Sequence, residues 1–247
     1  MSPLFPTIRT LLTLVFAVIV VTCSGAQRLT LAQEPPSGGH VHYTKSADQD
    51  KAGPGGVLAP RLQKLGNHQF PVSTKNKQAQ LFMNQGLNLS YAFNHAEAAR
   101  AFREAARQDP NLAMAYWGQA LVLGPNINAP MDPNAEGPAF QALKKAIELK
   151  PKASPREQAY IDALSERYSG NAADRHARDQ AYAAAMYKLQ QKFPDDLDAA
   201  TLYAESMMDL RPWGYWTRDG QPYEGMDEVV SLIEKVIAKN PLHPGAL

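Results

Sequence analysis

Phe82-Met83-Asn84-Gln85-Gly86-Leu87-Asn88-Leu89, followed by Asn94-His95-Ala96-Glu97-Ala98-Ala99-Arg100-Ala101-Phe102-Arg103-Glu104-Ala105 and closed by Asp109-Pro110-Asn111, decides the fold. Apolar residues three and four apart describe two amphipathic helices, and Pro110, with no N–H to donate, stops the second. Gly86 and Ala98 are small enough for the paired helices to approach closely, whereas Phe102 is large enough to fill the space beside them. The closing signal recurs at Lys150-Pro151, Phe193-Pro194-Asp195 and Asn240-Pro241, so Pro110, Pro151, Pro194 and Pro241 follow one another at 41, 43 and 47 residues. A fixed helix-pair unit repeated at that period predicts an array.

The order large residue, Gly, aromatic, Ala, Phe, Pro matches the tetratricopeptide (TPR) pattern. The expected fold class is all-α, a TPR-type α-solenoid of about four helix pairs over residues 61–247. Ala139, Leu143 and Ala146 keep their offsets from Pro151, as do Tyr182, Met186 and Leu189 from Pro194, and Val229, Ile233 and Val236 from Pro241. Ser154-Pro155-Arg156-Glu157 opens a helix with a capping box. Each pair after the first is stretched between its two helices: 16 residues separate Leu123 from Ala139 and 22 separate Met207 from Val229, against nine from Leu89 to Ala98. Stacked pairs would line these enlarged turns along one rim.

The chain of 247 residues has 45% hydrophobic and 20% charged residues, a globular composition. Its 25 Lys and Arg against 24 Asp and Glu provide no bulk field for phosphate backbones, which argues against nucleic acid as a partner. Arg9 and the apolar residues 11–21 read as a signal peptide over 1–32, cleaved after Ala26 or Ala32, so the folded part is expected outside the cytoplasm, periplasmic or extracellular, with no membrane span in the mature chain. Cys23, the one cysteine, leaves a lipid anchor as the competing reading. Residues 33–60 are rich in Gly and Pro and read as a flexible linker.

The resemblance goes further than the repeat. Residues 93–105 and 109–118, with Gly66 to Pro71, Gly124-Pro125-Asn126-Ile127-Asn128-Ala129-Pro130-Met131, Arg211-Pro212-Trp213-Gly214-Tyr215-Trp216 and His243-Pro244-Gly245-Ala246, resemble a set of exported bacterial TPR proteins. The resemblance spans about residues 60–247 and implies an α-solenoid and an extracytoplasmic compartment, but no reaction. Relatives continue beyond Pro-Gly-Ala through further helices that contain histidines. The expectation here is an incomplete solenoid that self-associates through an uncapped C-terminal end.

No HExxH, GxSxG, GxxxxGK[ST] or GxGxxG motif occurs, so an enzyme is not expected and no cofactor is implied. His95-Ala96-Glu97, with Asn94 ahead of it, reads as a helix start on the surface. Function is placed instead in a protein or peptide partner bound by the groove and the rim. Met83, Leu87 and Trp117 would line the concave groove. Asn126 and Asn128 sit in one proline-stiffened rim loop, and Trp213, Tyr215 and Trp216 in another. Those tryptophans could equally fold back to plug the insertion. A weaker alternative is copper or zinc handling by His40 and His42 of the linker, with His243 as a further ligand or a structural residue.

Overall fold

The computed structural model describes residues 52–171, 173 and 175–247. Among them are eight α-helices and no strand: α1 (Lys77–Tyr91), α2 (His95–Gln108), α3 (Ala113–Leu121), α4 (Glu136–Leu149), α5 (Pro155–Ser165), α6 (Arg175–Lys192), α7 (Leu197–Asp209) and α8 (Met226–Lys239). The protein is all-α. No described helix is long and apolar enough to cross a membrane. The signal segment, Cys23, His40 and His42 lie outside the described residues.

Each of the four repeating prolines stands two residues past a helix end, at α2, α4, α6 and α8. The starts are built from side chains. Asn76 accepts from the Gln78 and Ala79 amides at the head of α1, Ser154 and Glu157 form a complete capping box on α5, and Asp196 accepts from the Ala199 amide at the head of α7. Helices pack on their chain neighbours, and α3 also touches α1 and α5. Phe102 is fully buried against both α1 and α3: a Cβ added at Gly86 or at Gly118 would stand 2.5 Å from its ring. Ala98 is likewise fully buried.

A strap without regular secondary structure, residues 57–73, runs across the helices. Its backbone is held by amide side chains of α1: Leu62 N–H donates to Gln85, Phe70 N–H to Asn84 and Val72 N–H to Gln80, while Gln85 donates back to the Pro60 carbonyl at 2.9 Å. Leu58 N–H donates to Glu104 and Arg100 donates to the Leu58 carbonyl, so chain packing already begins inside the segment read as linker. Phe70 anchors the strap. It stacks on Trp117 at 5.8 Å and meets Tyr160 edge-on at 5.5 Å, and Trp117 and Tyr160 meet at 5.4 Å; all three rings are buried. Each such pair adds about 0.5–1.5 kcal/mol beyond its buried area. Arg156 lies over Phe70 at 4.5 Å and pairs with Asp196 at 2.6 Å, and Ser73 bonds to Glu157 in the α5 cap.

The strap corrects the expectation of an open groove. Met83, Leu87 and Trp117 are 0%, 0% and 1% exposed and form core, with Phe70 of the strap stacked on Trp117. At the C-terminal end, Val229, Leu232 and Val236 of α8 are buried, while Val230 and Leu242 are exposed.

Candidate binding site at the loop rim

The turns α3–α4, α5–α6 and α7–α8 meet at one edge. Arg167, buried in the α5–α6 turn, donates to the Pro125 carbonyl at 3.1 Å in the first loop and to Asp209 at 2.7 Å at the start of the third, and its guanidinium covers Tyr182 at 4.5 Å. Tyr168 O–H donates to the Ala120 carbonyl at 2.7 Å. Gly124 is required by this proximity, since a Cβ there would stand 2.7 Å from the Tyr168 hydroxyl. Arg175, at the head of α6, bonds to Asp179 at 3.0 Å and to Glu136 and Met131 Sδ at 3.2 Å. The first loop is therefore set in place before any partner arrives.

Asn126 is buried, pairs with Ala129 through two backbone hydrogen bonds, and accepts the Asn128 amide N–H on its side-chain oxygen at 2.9 Å. It shapes the loop. Asn128 is exposed, with its own amide side chain available. His95, expected on the surface, is buried near Asn126 and Phe93.

The third loop, residues 210–225, doubles back on itself. Tyr223 N–H donates to the Tyr215 carbonyl, Trp216 pairs with Pro222, and the chain reverses at Asp219-Gly220, where Gly220 adopts φ +81°. Its tryptophans do not plug the insertion: Trp213 is 72% exposed and Trp216 48%. Trp213 also holds φ +60°, a left-handed conformation costly for a bulky side chain. Tyr215 is half-buried and packs on the core. A pocket of about 280 Å³ opens between the loops, lined by Ile127, Asn128, Met131, Arg175, Asp209 and Trp213 among others. Asn126, Asn128 and Trp213, named from two separate stretches of sequence, thus share one site.

Burial pushes the Glu205 and Asp209 carboxyls up, Glu205 further through its neighbour Asp209, while Arg167 opposes both shifts. Asp209 Oδ2 accepts from Arg167, which also holds the Pro125 carbonyl, while Asp209 Oδ1 is buried without a hydrogen-bond partner. The arrangement can hold a ligand against a fixed wall, and no nucleophile paired with a base stands among the pocket's lining residues.

A second cluster lies beneath the strap. His68 Nε2 and the Tyr91 hydroxyl each stand 2.8 Å from Asp198 Oδ1, and His243 Nε2 is 3.3 Å from the same oxygen. Asp198 and His243 are buried, and the His68 side chain is 8% exposed. Burial would raise the Asp198 carboxyl, but its contacts with His243, His68 and Tyr91 hold it well below the usual carboxylate range. The sequence reading singled out His243 and missed His68 and Asp198. Comparison of the chain with family models, curated proteins and solved structures finds no match.

Proposed function

We propose that the chain is an exported, non-catalytic TPR-type α-solenoid that docks a segment of a partner protein at its loop rim. The TPR assignment is supported by the repeated residue pattern and by four successive helix pairs with Phe102 wedged between glycines. Export is supported by the apolar leader after Arg9. The observation that carries the binding role is Trp213: a large aromatic, 72% exposed, in a left-handed backbone conformation, at the lip of a pocket. Nothing in the helix packing requires that cost, whereas an exposed tryptophan beside a concavity is a common anchor of an interface.

The partner's contribution follows from the lining. Ile127, Met131, Pro212 and Trp213 accept an apolar side chain, and Asn128 offers a donor and an acceptor to the backbone of the docked segment. The deciding experiment places a photo-crosslinking residue at position 213, and separately at the exposed Lys144 as control, in the cell that makes the protein. A discrete adduct from 213 alone identifies the partner. Equal adducts from both positions, or none from either, defeat the proposal.

A further inference from the structure

We propose that His68, Asp198 and His243 hold one divalent transition-metal ion of the zinc class, which clamps the strap to the head of α7 and to the turn after α8. The three side chains come from distant parts of the chain, yet their ligand atoms all lie within 4.8 Å of one another. The two distances to Asp198 Oδ1, 2.8 and 3.3 Å, approach the edge of a tetrahedron with zinc-like bonds, about 3.3 Å for arms of about 2.0–2.1 Å. The carboxylate divides its work: Oδ2 faces Arg156 at 3.9 Å, and Oδ1 is the oxygen that both imidazoles approach.

His243 supplies a second, independent pointer. Its Nε2 is buried and completes no hydrogen bond of normal geometry, although Asp198 Oδ1 stands 3.3 Å away. An ion among the three side chains gives that nitrogen a partner. Two imidazoles and one carboxylate form a borderline donor set suited to zinc, with too few oxygens for calcium or magnesium and no thiolate for cuprous copper. Tyr91 O–H donates to Asp198 Oδ1 at 2.8 Å and so orients the carboxylate.

Loading leaves a signature. Gly245 N–H donates to His243 Nδ1 at 3.3 Å, which places the proton of the neutral ring on Nε2. An ion at Nε2 moves that proton to Nδ1, where it faces the Gly245 N–H, so the turn 243–246 must shift. The packing is tight enough to make such a shift visible: a Cβ at Gly245 would stand 2.5 Å from the Tyr91 ring.

The test uses the full chain carrying His40→Ala and His42→Ala, stripped with a chelator and titrated with zinc sulfate alone by calorimetry. The expected result is one equivalent bound with Kd below about 10 µM, weakened at least about 30-fold by His243→Gln and by Asp198→Asn. The Gly245 amide resonance should move in step with saturation. If Asp198→Asn fails to fold by circular dichroism, His243→Gln and the Gly245 resonance decide. Zinc bound more weakly than that, affinity unchanged in the folded variants, or binding with Gly245 unmoved overturns the proposal and leaves a hydrogen-bonded His68–Asp198–Tyr91 cluster as the whole of the contact. Each readout is independent of the loop rim.

Discussion

Phe102 sits with glycine on both sides, Gly86 from α1 and Gly118 from α3, and neither position has room for a methyl group unless the ring moves. Gly118→Ala should therefore cost about 1–3 kcal/mol by overpacking, and Ala98→Leu a similar amount. Phe102→Ala should cost about 3–5 kcal/mol through the cavity it leaves. Because ring and methyl compete for one space, Gly118→Ala in a Phe102→Leu background should cost less than in the native chain, a non-additivity that urea midpoints for the four proteins would reveal. Glu104 makes a second prediction at this scale. Burial pushes its carboxyl up, but hydrogen bonds from Arg107, the Leu58 N–H and Gln108 outweigh that and bring it down to about 2. A folded-state value below the ordinary 4.5 means its stabilisation is complete above about pH 4.5 and disappears as pH falls toward 2. Between pH 5 and 2.5 the urea midpoint should fall less steeply for Glu104→Gln than for the native chain, and parallel slopes would refute this account of the carboxylate.

The strap is the element that periodicity could not disclose. All eight helices were legible because their apolar residues repeat every three or four positions and their ends carry prolines and caps, as at Pro110, Pro194 and Ser154. Residues 57–73 have no period, so Met83, Leu87 and Trp117 read as an open groove when all three are in fact buried and Phe70 lies on Trp117. The available signal was the row Gln80, Asn84, Gln85 and Asn88 on α1, a set of amides placed to bind extended backbone. The rim was half legible: Trp213, Asn126 and Asn128 stood out as polar and aromatic residues in insertions, but that two insertions share a pocket depends on Arg167, which joins Pro125 in one to Asp209 at the end of α7, where the other begins. His68 and Asp198 carried no motif spacing, since they lie 130 residues apart. Phe70→Ala should cost about 3–5 kcal/mol and expose Trp117 and Tyr160. Increased dye binding at neutral pH, together with a lowered melting temperature, checks it. Trp213→Ala should change stability by no more than about 0.5 kcal/mol, as for any exposed side chain. A loss of about 3 kcal/mol in its urea midpoint would make that tryptophan a structural plug after all.

At the scale of the molecule, the strap changes how unfolding should proceed. In a simple stack of helix pairs each pair contacts only its neighbours, so terminal pairs can melt separately. Here the strap connects elements far apart in the chain: Phe70 to α3 and α5, Ser73 to the α5 cap, and His68 to Asp198 of α7. One continuous core runs from Ala59 to Ala246. Opening the last pair would strip the cover from Asp198 and release the strap from it, disturbing α1 and α3 in turn, so the ends are coupled to the middle. The native chain should therefore melt in one transition with equal calorimetric and van't Hoff enthalpies. Val236→Ala, in the last helix, should lower that single transition rather than split it. A chain beginning at residue 74 should lose this coupling and melt over a broader range, with hydrogen exchange in α7 and α8 preceding that in α1 and α2. A native chain that already melts in two steps, with α7 and α8 leaving first, would show that the strap covers the helices without joining them.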